Sequence, residues 1–155
     1  MKTMRRKDRE KSKEFALDVV DKCAYAVIAT VNEDGSPYCI PLSIARDGEW
    51  LYFHSALEGH KIENLRREPR VCITVVGDVK IIPRKFGIEF ESAVINGTAA
   101  EVLTQEEKTQ ALAVICKRYV PADMDIFGEA VRKDIEQTGI WKIHINEISG
   151  KGRKL

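Results

Sequence analysis

The run Tyr52-Phe53-His54-Ser55-Ala56-Leu57-Glu58-Gly59-His60-Lys61 holds the chain's densest set of reactive side chains. Leu51, Tyr52 and Phe53 are strand formers, and Ser55 and Gly59 are turn and cap residues. From Lys61 onward Ile62 and Leu65 recur at helical spacing until Pro69 stops the run. A strand–turn–helix corner of this kind points free backbone N–H groups and the positive end of a helix dipole at one spot, which suits an anion. A serine hydroxyl, a glycine that lets backbone approach closely, a histidine and a lysine converge there, so the corner is a candidate phosphate cradle. The same residues also compose an ordinary corner with a solvated lysine. Of the three histidines, His54, His60 and His144, two lie in this corner.

The elements around it are mostly strands. Residues 25–31 (Tyr-Ala-Val-Ile-Ala-Thr-Val) predict a strand, Asn32-Glu33-Asp34-Gly35 a turn, and residues 37–45 a second strand. Pro37 and Pro41 cannot donate to a ladder. They imply a strand start and an edge, bulge or barrel corner, and a proline-interrupted run also leaves neighbouring backbone groups free for a ligand. Arg46-Asp47-Gly48-Glu49 predicts a further hairpin turn, with a third strand at 50–54 leading into the cradle. Residues 70–77 read as a strand buried on both faces, 78–87 as irregular, and 88–102 as a long bent strand with a bulge at Asn96-Gly97. Residues 140–145 alternate as a final strand, and 150–155 read as a basic tail.

Helices are expected from Glu14 to about Lys22, through Phe15, Val19, Val20 and Cys23, and from the Thr104 capping box to Pro121. Another covers about 124–137, with Phe127, Ala130, Val131 and Ile135 inward. About six strands in consecutive hairpins with a few inserted helices favour an antiparallel barrel over a βαβ sheet. The fold class is therefore mainly β, of the α+β kind. It is a six-to-seven-stranded antiparallel split barrel with flanking helices, in one domain spanning 1–155.

Composition bounds the rest. With 155 residues, 44% hydrophobic and 32% charged, the chain has the make-up of one globular domain. The net charge of +1 exerts no general pull on nucleic acid. A weaker nucleic-acid reading rests on the basic arm at 1–13, expected to be loosely ordered, but no basic-aromatic surface accompanies it. Apolar runs fall far short of the roughly 18 residues of a membrane span, and no signal-type run follows the basic start, so a cytoplasmic protein is expected. Cys23, Cys39, Cys72 and Cys116 lie far apart, and three sit among apolar neighbours as small buried hydrophobes. No dinucleotide fingerprint, Walker sequence, Ser–His–Asp set or metal-ligand spacing is present.

Four stretches together carry a resemblance. They are Asp34-Gly35-x-Pro37-Tyr38-x-Ile40-Pro41, then Leu51 to Ala56 with Gly59-His60-Lys61, then Arg70-Val71-Cys72-Ile73, then Phe90-Glu91-Ser92-Ala93-Val94-Ile95-x-Gly97. This order resembles the pyridoxamine 5′-phosphate oxidase-like split-barrel flavoproteins, and within them the nitroimidazole-resistance branch. Met4 to Glu10 and Ser149-Gly150-Lys151 resemble that branch's two ends. The resemblance implies a homodimer with one FMN per subunit in a groove at the dimer interface. Phosphate contacts would fall on Lys61, with Ser55 and His60 nearby. The flavin ring would lie along Pro41, Leu42 and Ser43 beside His54. Thr74, Val75 and Ser92 border the groove.

The ending Ile148 to Leu155 lacks the Arg-rich substrate motif of true pyridoxamine-phosphate oxidases, which sets vitamin B6 oxidation apart from this chain. The expected activity is transfer of electrons from reduced FMN, formally a hydride, to a small acceptor such as a nitroaromatic or quinone, with NAD(P)H as the donor. His54 would act as the catalytic proton donor or substrate-positioning group, or else make a structural hydrogen bond at a strand end. The alternative function is a non-catalytic flavin carrier or redox sensor. No metal site is expected.

Overall fold

Alternation of apolar with small or polar side chains makes strand the dominant element. The computed structural model describes residues 3–155. Its strands are β1 (Glu10–Lys11), β2 (Ala26–Val31), β3 (Pro37–Leu42), β4 (Ala45–Asp47), β5 (Trp50–Ser55), β6 (Arg70–Ile82), β7 (Gly87–Glu101) and β8 (Gly139–Arg153). Its helices are α1 (Lys13–Lys22), α2 (His60–Arg67), α3 (Gln105–Tyr119) and α4 (Phe127–Asp134). The strands form one antiparallel sheet in the order β3-β2-β6-β7-β8-β5-β4, with β1 added to β8. The ends β3 and β4 do not pair with each other, so the sheet curls into a barrel that stays split, as the hairpin pattern implied.

One face of the sheet carries the core. Ile28, Leu51, Phe53, Ile73, Ile95, Trp141 and Ile143 point inward and are buried. Helix α1 lays Ala16, Val19 and Val20 over them, and its start is set by Ser12, whose hydroxyl accepts the Phe15 N–H at 3.2 Å. Each large side chain buried this way contributes on the order of 1.5–3 kcal/mol. Helix α3 covers the other side of β5 and β8 through Ala111, which packs with Val102, Ile140 and Tyr52.

Several expectations are corrected. Strand β6 is not buried on both faces: Val71, Ile73 and Val75 go inward, while Cys72, Thr74 and Val76 face out, because no helix covers the outer side there. The segment 78–87 is largely strand. After a bulge between Val76 and Val79, β6 runs on to Ile82 and pairs with the first residues of β7 in a long hairpin, and only 83–86 form its turn. Mixed charges hid this strand, because its ladder partners come from β7.

The tail at 150–153 is the end of β8, paired to Phe90 through Ala93. The basic arm is ordered from its 3-10 turn (Lys7–Arg9) onward. Glu10 and Lys11 pair with β8, and Arg6 and Lys7 are bonded to Asp8 and Glu10. The strand expected at 37–45 breaks at Ser43 and Ile44. Ala130 on α4 is exposed, and Ile135 is buried from the 3-10 turn after that helix. Cys23 is buried and Cys116 half-buried, whereas Cys39 and Cys72 sit exposed on the outer sheet face.

The bulge expected at Asn96-Gly97 is present, where the register of β7 against β8 shifts. A Cβ at Gly97 would lie 2.6 Å from Ile143 Cγ2 and 2.7 Å from the His144 carbonyl oxygen. The backbone oxygen cannot step aside as a flexible side chain could. We therefore expect Gly97→Ala to destabilise the fold by about 1–3 kcal/mol, the usual cost of overpacking. Urea unfolding checks this, and an unchanged midpoint would show that the β7–β8 bulge is plastic.

Candidate functional site

Strand β5 delivers Phe53 inward and ends at Ser55, and α2 starts five residues later. Between them Gly59 takes φ +132°, ψ 166°, a backbone conformation that disfavours any side chain. Gly59 is the helix N-cap, and no side chain caps it. The first intrahelical bond runs from the Glu63 N–H to the Gly59 carbonyl at 3.0 Å, which leaves the amides of His60, Lys61 and Ile62 without helical acceptors. The space a Cβ would fill at Gly59 is open.

Lys61 stands at this end of the helix. It is half-buried, with its ammonium 5.2 Å from the centroid of the Phe53 ring. Among the described residues no carboxylate lies within ion-pair distance of it, and burial pushes its pKa down. Tyr38, Ile40, Ser55, Gly59, His60 and Lys61 surround a cavity of about 270 Å³, with Glu58 also on its wall. The structure thus brings Ser55, His60 and Lys61 together, as their spacing implied. The Ser55 hydroxyl donates to the Ala56 carbonyl at 2.7 Å, so in this arrangement it offers only lone pairs. Gly139 of β8 closes the back of the turn. A Cβ there would lie 2.7 Å from the Ala56 carbonyl oxygen.

The remaining sequence-derived candidates fall elsewhere. His54 is exposed on the face of β5 opposite Phe53 and makes no side-chain hydrogen bond among the described residues. Pro41 and Leu42 end β3, and Ser43 is exposed in the break before β4. Pro41, Val27, Thr74 and Val94 lie in one row across four strands of the outer face, because Val27 registers with both Pro41 and Thr74, and Thr74 with Val94. Thr74 and Ser92 use their hydroxyls on the Ala93 and Lys151 carbonyls, each at 3.4 Å. The Val75 side chain is 1% exposed and belongs to the core, so only its backbone can meet a ligand.

Residues that sequence reasoning passed over complete the cradle. Tyr38 stacks on the His60 ring at 4.3 Å between centroids. Asn32 meets His60 Nε2 at 2.8 Å, and Asn64, 1% exposed, reaches both Thr30 and Asn32. In the sequence Asn32 is a turn residue and Asn64 a polar position on a short helix. Nothing local marks them for the cradle, since the bonds that link them to it and to each other run between elements.

An open antiparallel split barrel with an uncapped helix N-terminus at the end of its third hairpin strand defines a class of fold. The comparisons specify it further. Residues 12–152 match the family model described as pyridoxamine 5′-phosphate oxidase, and the chain belongs to that family. No curated protein matches the chain. Among solved structures it is similar to a putative 5-nitroimidazole antibiotic resistance protein from Bacteroides thetaiotaomicron. That likeness has 27% identity and a TM-score of 0.78, covering 92% of this chain and 84% of the other. An FAD-binding protein from Mesorhizobium loti shares the fold at 22% identity and TM-score 0.69, with 94% and 98% covered. So does an FAD- and haem-binding protein from Mycobacterium smegmatis at 20% identity and TM-score 0.81, with 95% and 74% covered. Among the described residues no helix is long and apolar enough to cross a membrane.

The half-buried ammonium of Lys61 carries a desolvation cost that no acid among the described residues offsets. In the ligand-free protein Lys61→Met is therefore expected to raise the thermal midpoint, which differential scanning calorimetry reads. A lowered midpoint would mean that the contact with Phe53 outweighs the desolvation.

Proposed function

We propose that this protein binds FMN, with its phosphate at the Gly59–Lys61 corner, and acts as an oxidoreductase toward small electron acceptors such as nitroaromatics or quinones, taking electrons from NAD(P)H. The observation that carries this reading is the cavity itself. Among the described residues, a cation without a counter-ion, three helical amides without acceptors and open space at Gly59 all meet there. That set fits a phosphate dianion, which the ammonium and the helix dipole neutralise together. Family membership supports the choice of ligand, and the flavin-binding relatives support it at the level of the fold.

FMN, when bound, supplies the two-electron redox chemistry that the protein's own side chains lack. The chain's part is placement and proton handling. Lys61 neutralises the phosphate, and Ser55 can turn its hydroxyl from the Ala56 carbonyl to donate to it. The end of β3, interrupted by Pro41, offers backbone groups along Pro41, Leu42 and Ser43 for the ring edge. His54, exposed and without a side-chain hydrogen bond among the described residues, is placed to orient an acceptor or pass it a proton.

A second copy of the chain is proposed as the partner. The outer sheet face presents Cys39, Cys72, Thr74, Val76 and Val94 to solvent, an apolar area that a monomer would leave wet. Light scattering of the FMN-loaded protein is expected to give a dimer mass, and a monomer would remove this part of the proposal.

Lys61→Ala tests the phosphate contact. A charge-assisted bond of roughly 1.5–3 kcal/mol is lost, so FMN should weaken by about ten- to a hundredfold. Riboflavin, which has no phosphate, should bind parent and variant alike. Flavin fluorescence titration of the apo-proteins reads both. Equal weakening of FMN and riboflavin would place the phosphate elsewhere.

His54→Ala should keep FMN and change the rate of NAD(P)H-dependent acceptor reduction followed by absorbance. A parent that binds FMN but shows no turnover with any acceptor would make the protein a flavin carrier or sensor.

A further inference from the structure

A chain of hydrogen bonds behind the cradle determines which nitrogen of His60 holds its proton. One end of the chain is the Arg67 guanidinium, which can only donate. It bonds Asn64 Oδ1 at 2.8 Å, so the Asn64 amide is oriented with Nδ2 pointing away, toward Thr30 Oγ1 at 3.1 Å and Asn32 Oδ1 at 2.9 Å. The other end is the Asp34 carboxylate, which can only accept and is held below its usual pKa first by the Ser36 side chain and then by the Ser36 backbone. The Ser36 hydroxyl donates to Asp34 Oδ1 at 2.5 Å, so its oxygen accepts from Asn32 Nδ2 at 3.0 Å. Both ends therefore turn the Asn32 carboxamide the same way, with Oδ1 facing inward.

That oxygen is what His60 Nε2 meets at 2.8 Å. An acceptor there requires a donor, so His60 carries its proton on Nε2. In the neutral ring, Nδ1 is then left with a lone pair. A lone pair repels a phosphate oxygen, so Nδ1 can serve a phosphate only after taking up a proton. The Tyr38 ring, stacked on the imidazole, resists the ring flip that would exchange the two nitrogens.

We propose that Asn32 and Asn64 are positioning residues that fix His60 as the Nε2–H tautomer, and that phosphate binding at this corner is coupled to proton uptake at His60 Nδ1. This rests on the FMN reading above and adds a direction to it: FMN takes one proton from solvent as it binds, and riboflavin takes none. The charged groups around His60 are Lys61 and Glu58, which line the cavity with it, Arg67 and Asp34 at the two ends of the hydrogen-bond chain, Glu33 next to Asn32 in the sequence, and Glu63 three residues on along α2. None of these is an imidazole, the side chain whose ordinary titration lies between about pH 5 and 8.

The signs follow. The imidazolium form stabilises the phosphate complex, so its contribution is full at low pH and is lost as pH rises through the pKa of the bound state. The FMN phosphate itself loses its second proton near about pH 6, which strengthens binding in the opposite sense. Comparison with His60→Gln removes that shared term.

The experiment has two arms. In the first, nitrogen-15 NMR of the ligand-free protein reads the tautomer: His60 is expected as Nε2–H in the parent and as a mixture in Asn32→Ala. In the second, calorimetry at about pH 7.5, in two buffers of different ionisation enthalpy, counts protons. About one proton per FMN is expected for the parent and none for riboflavin or for His60→Gln. Asn32→Ala, whose neutral ring can place its proton on Nδ1, should take up clearly fewer protons per FMN than the parent, with riboflavin again taking up none.

A parent ring protonated on Nδ1, or FMN binding with no proton uptake, overturns the inference. So does an Asn32→Ala variant that takes up as many protons per FMN as the parent. If the parent binds no flavin at all, the cofactor reading fails too, and the tautomer measured in the first arm keeps the two failures apart.

Discussion

A carboxamide that is 1% exposed has to find partners, and Asn64 finds both of its acceptors across an element boundary. It donates to Thr30 on β2 and to Asn32 after it, and accepts from Arg67 one helical turn on. This pin ties α2 to the β2–β3 hairpin at a defined height and rotation. Leaving such a group unsatisfied costs about 1–3 kcal/mol, so the arrangement is all or nothing at this point. The cradle depends on it: the helix end that holds Lys61, the ring of His60 and the face of Tyr38 keep their positions only while α2 is locked to that hairpin.

The apolar core does a different task. Ile62 and Leu65 bury one side of α2 against the barrel, which places the helix without orienting it closely. Directional bonds add the orientation. The division of labour explains why the open end of the barrel can tolerate an uncapped N-terminus, a half-buried ammonium and a glycine at φ +132° in one place. Each is unfavourable alone, and each is held by contacts made elsewhere, a common arrangement where a site waits for a ligand.

Much of the fold was legible because period and punctuation agree along the chain. Asn32 to Gly35 and Arg46 to Glu49 read as hairpin turns, Thr104 as a helix start, and Asn96-Gly97 as a bulge, and the structure has each. The misses share a cause. β6 looked buried on both faces because Val, Cys, Ile and Thr are apolar or small on both sides, and only the placement of helices tells which side stays open. The hairpin arm at 78–82 and the end of β8 looked irregular because their side chains are charged, while strand formation there is driven by a neighbouring ladder. Within the site, Ser55, Gly59, His60 and Lys61 were visible because they adjoin one local turn. Tyr38, Asn32 and Asn64 were not, since each acts on a partner at a sequence distance that no spacing rule covers.

The sequence by itself determined the local chemistry: a strand ending in a turn, a glycine before a helix, and a lysine at that helix's first turn, all consequences of side-chain and backbone preference within a few residues. Tertiary structure decided which of these groups have partners. It left Lys61 without a carboxylate, sent Val75 into the core and Thr74 out to the sheet face, and set a buried asparagine behind a histidine. The reason is physical. Propensity acts over neighbouring residues, but desolvation, pairing and the direction of a hydrogen bond depend on what the rest of the chain brings within about 3 Å.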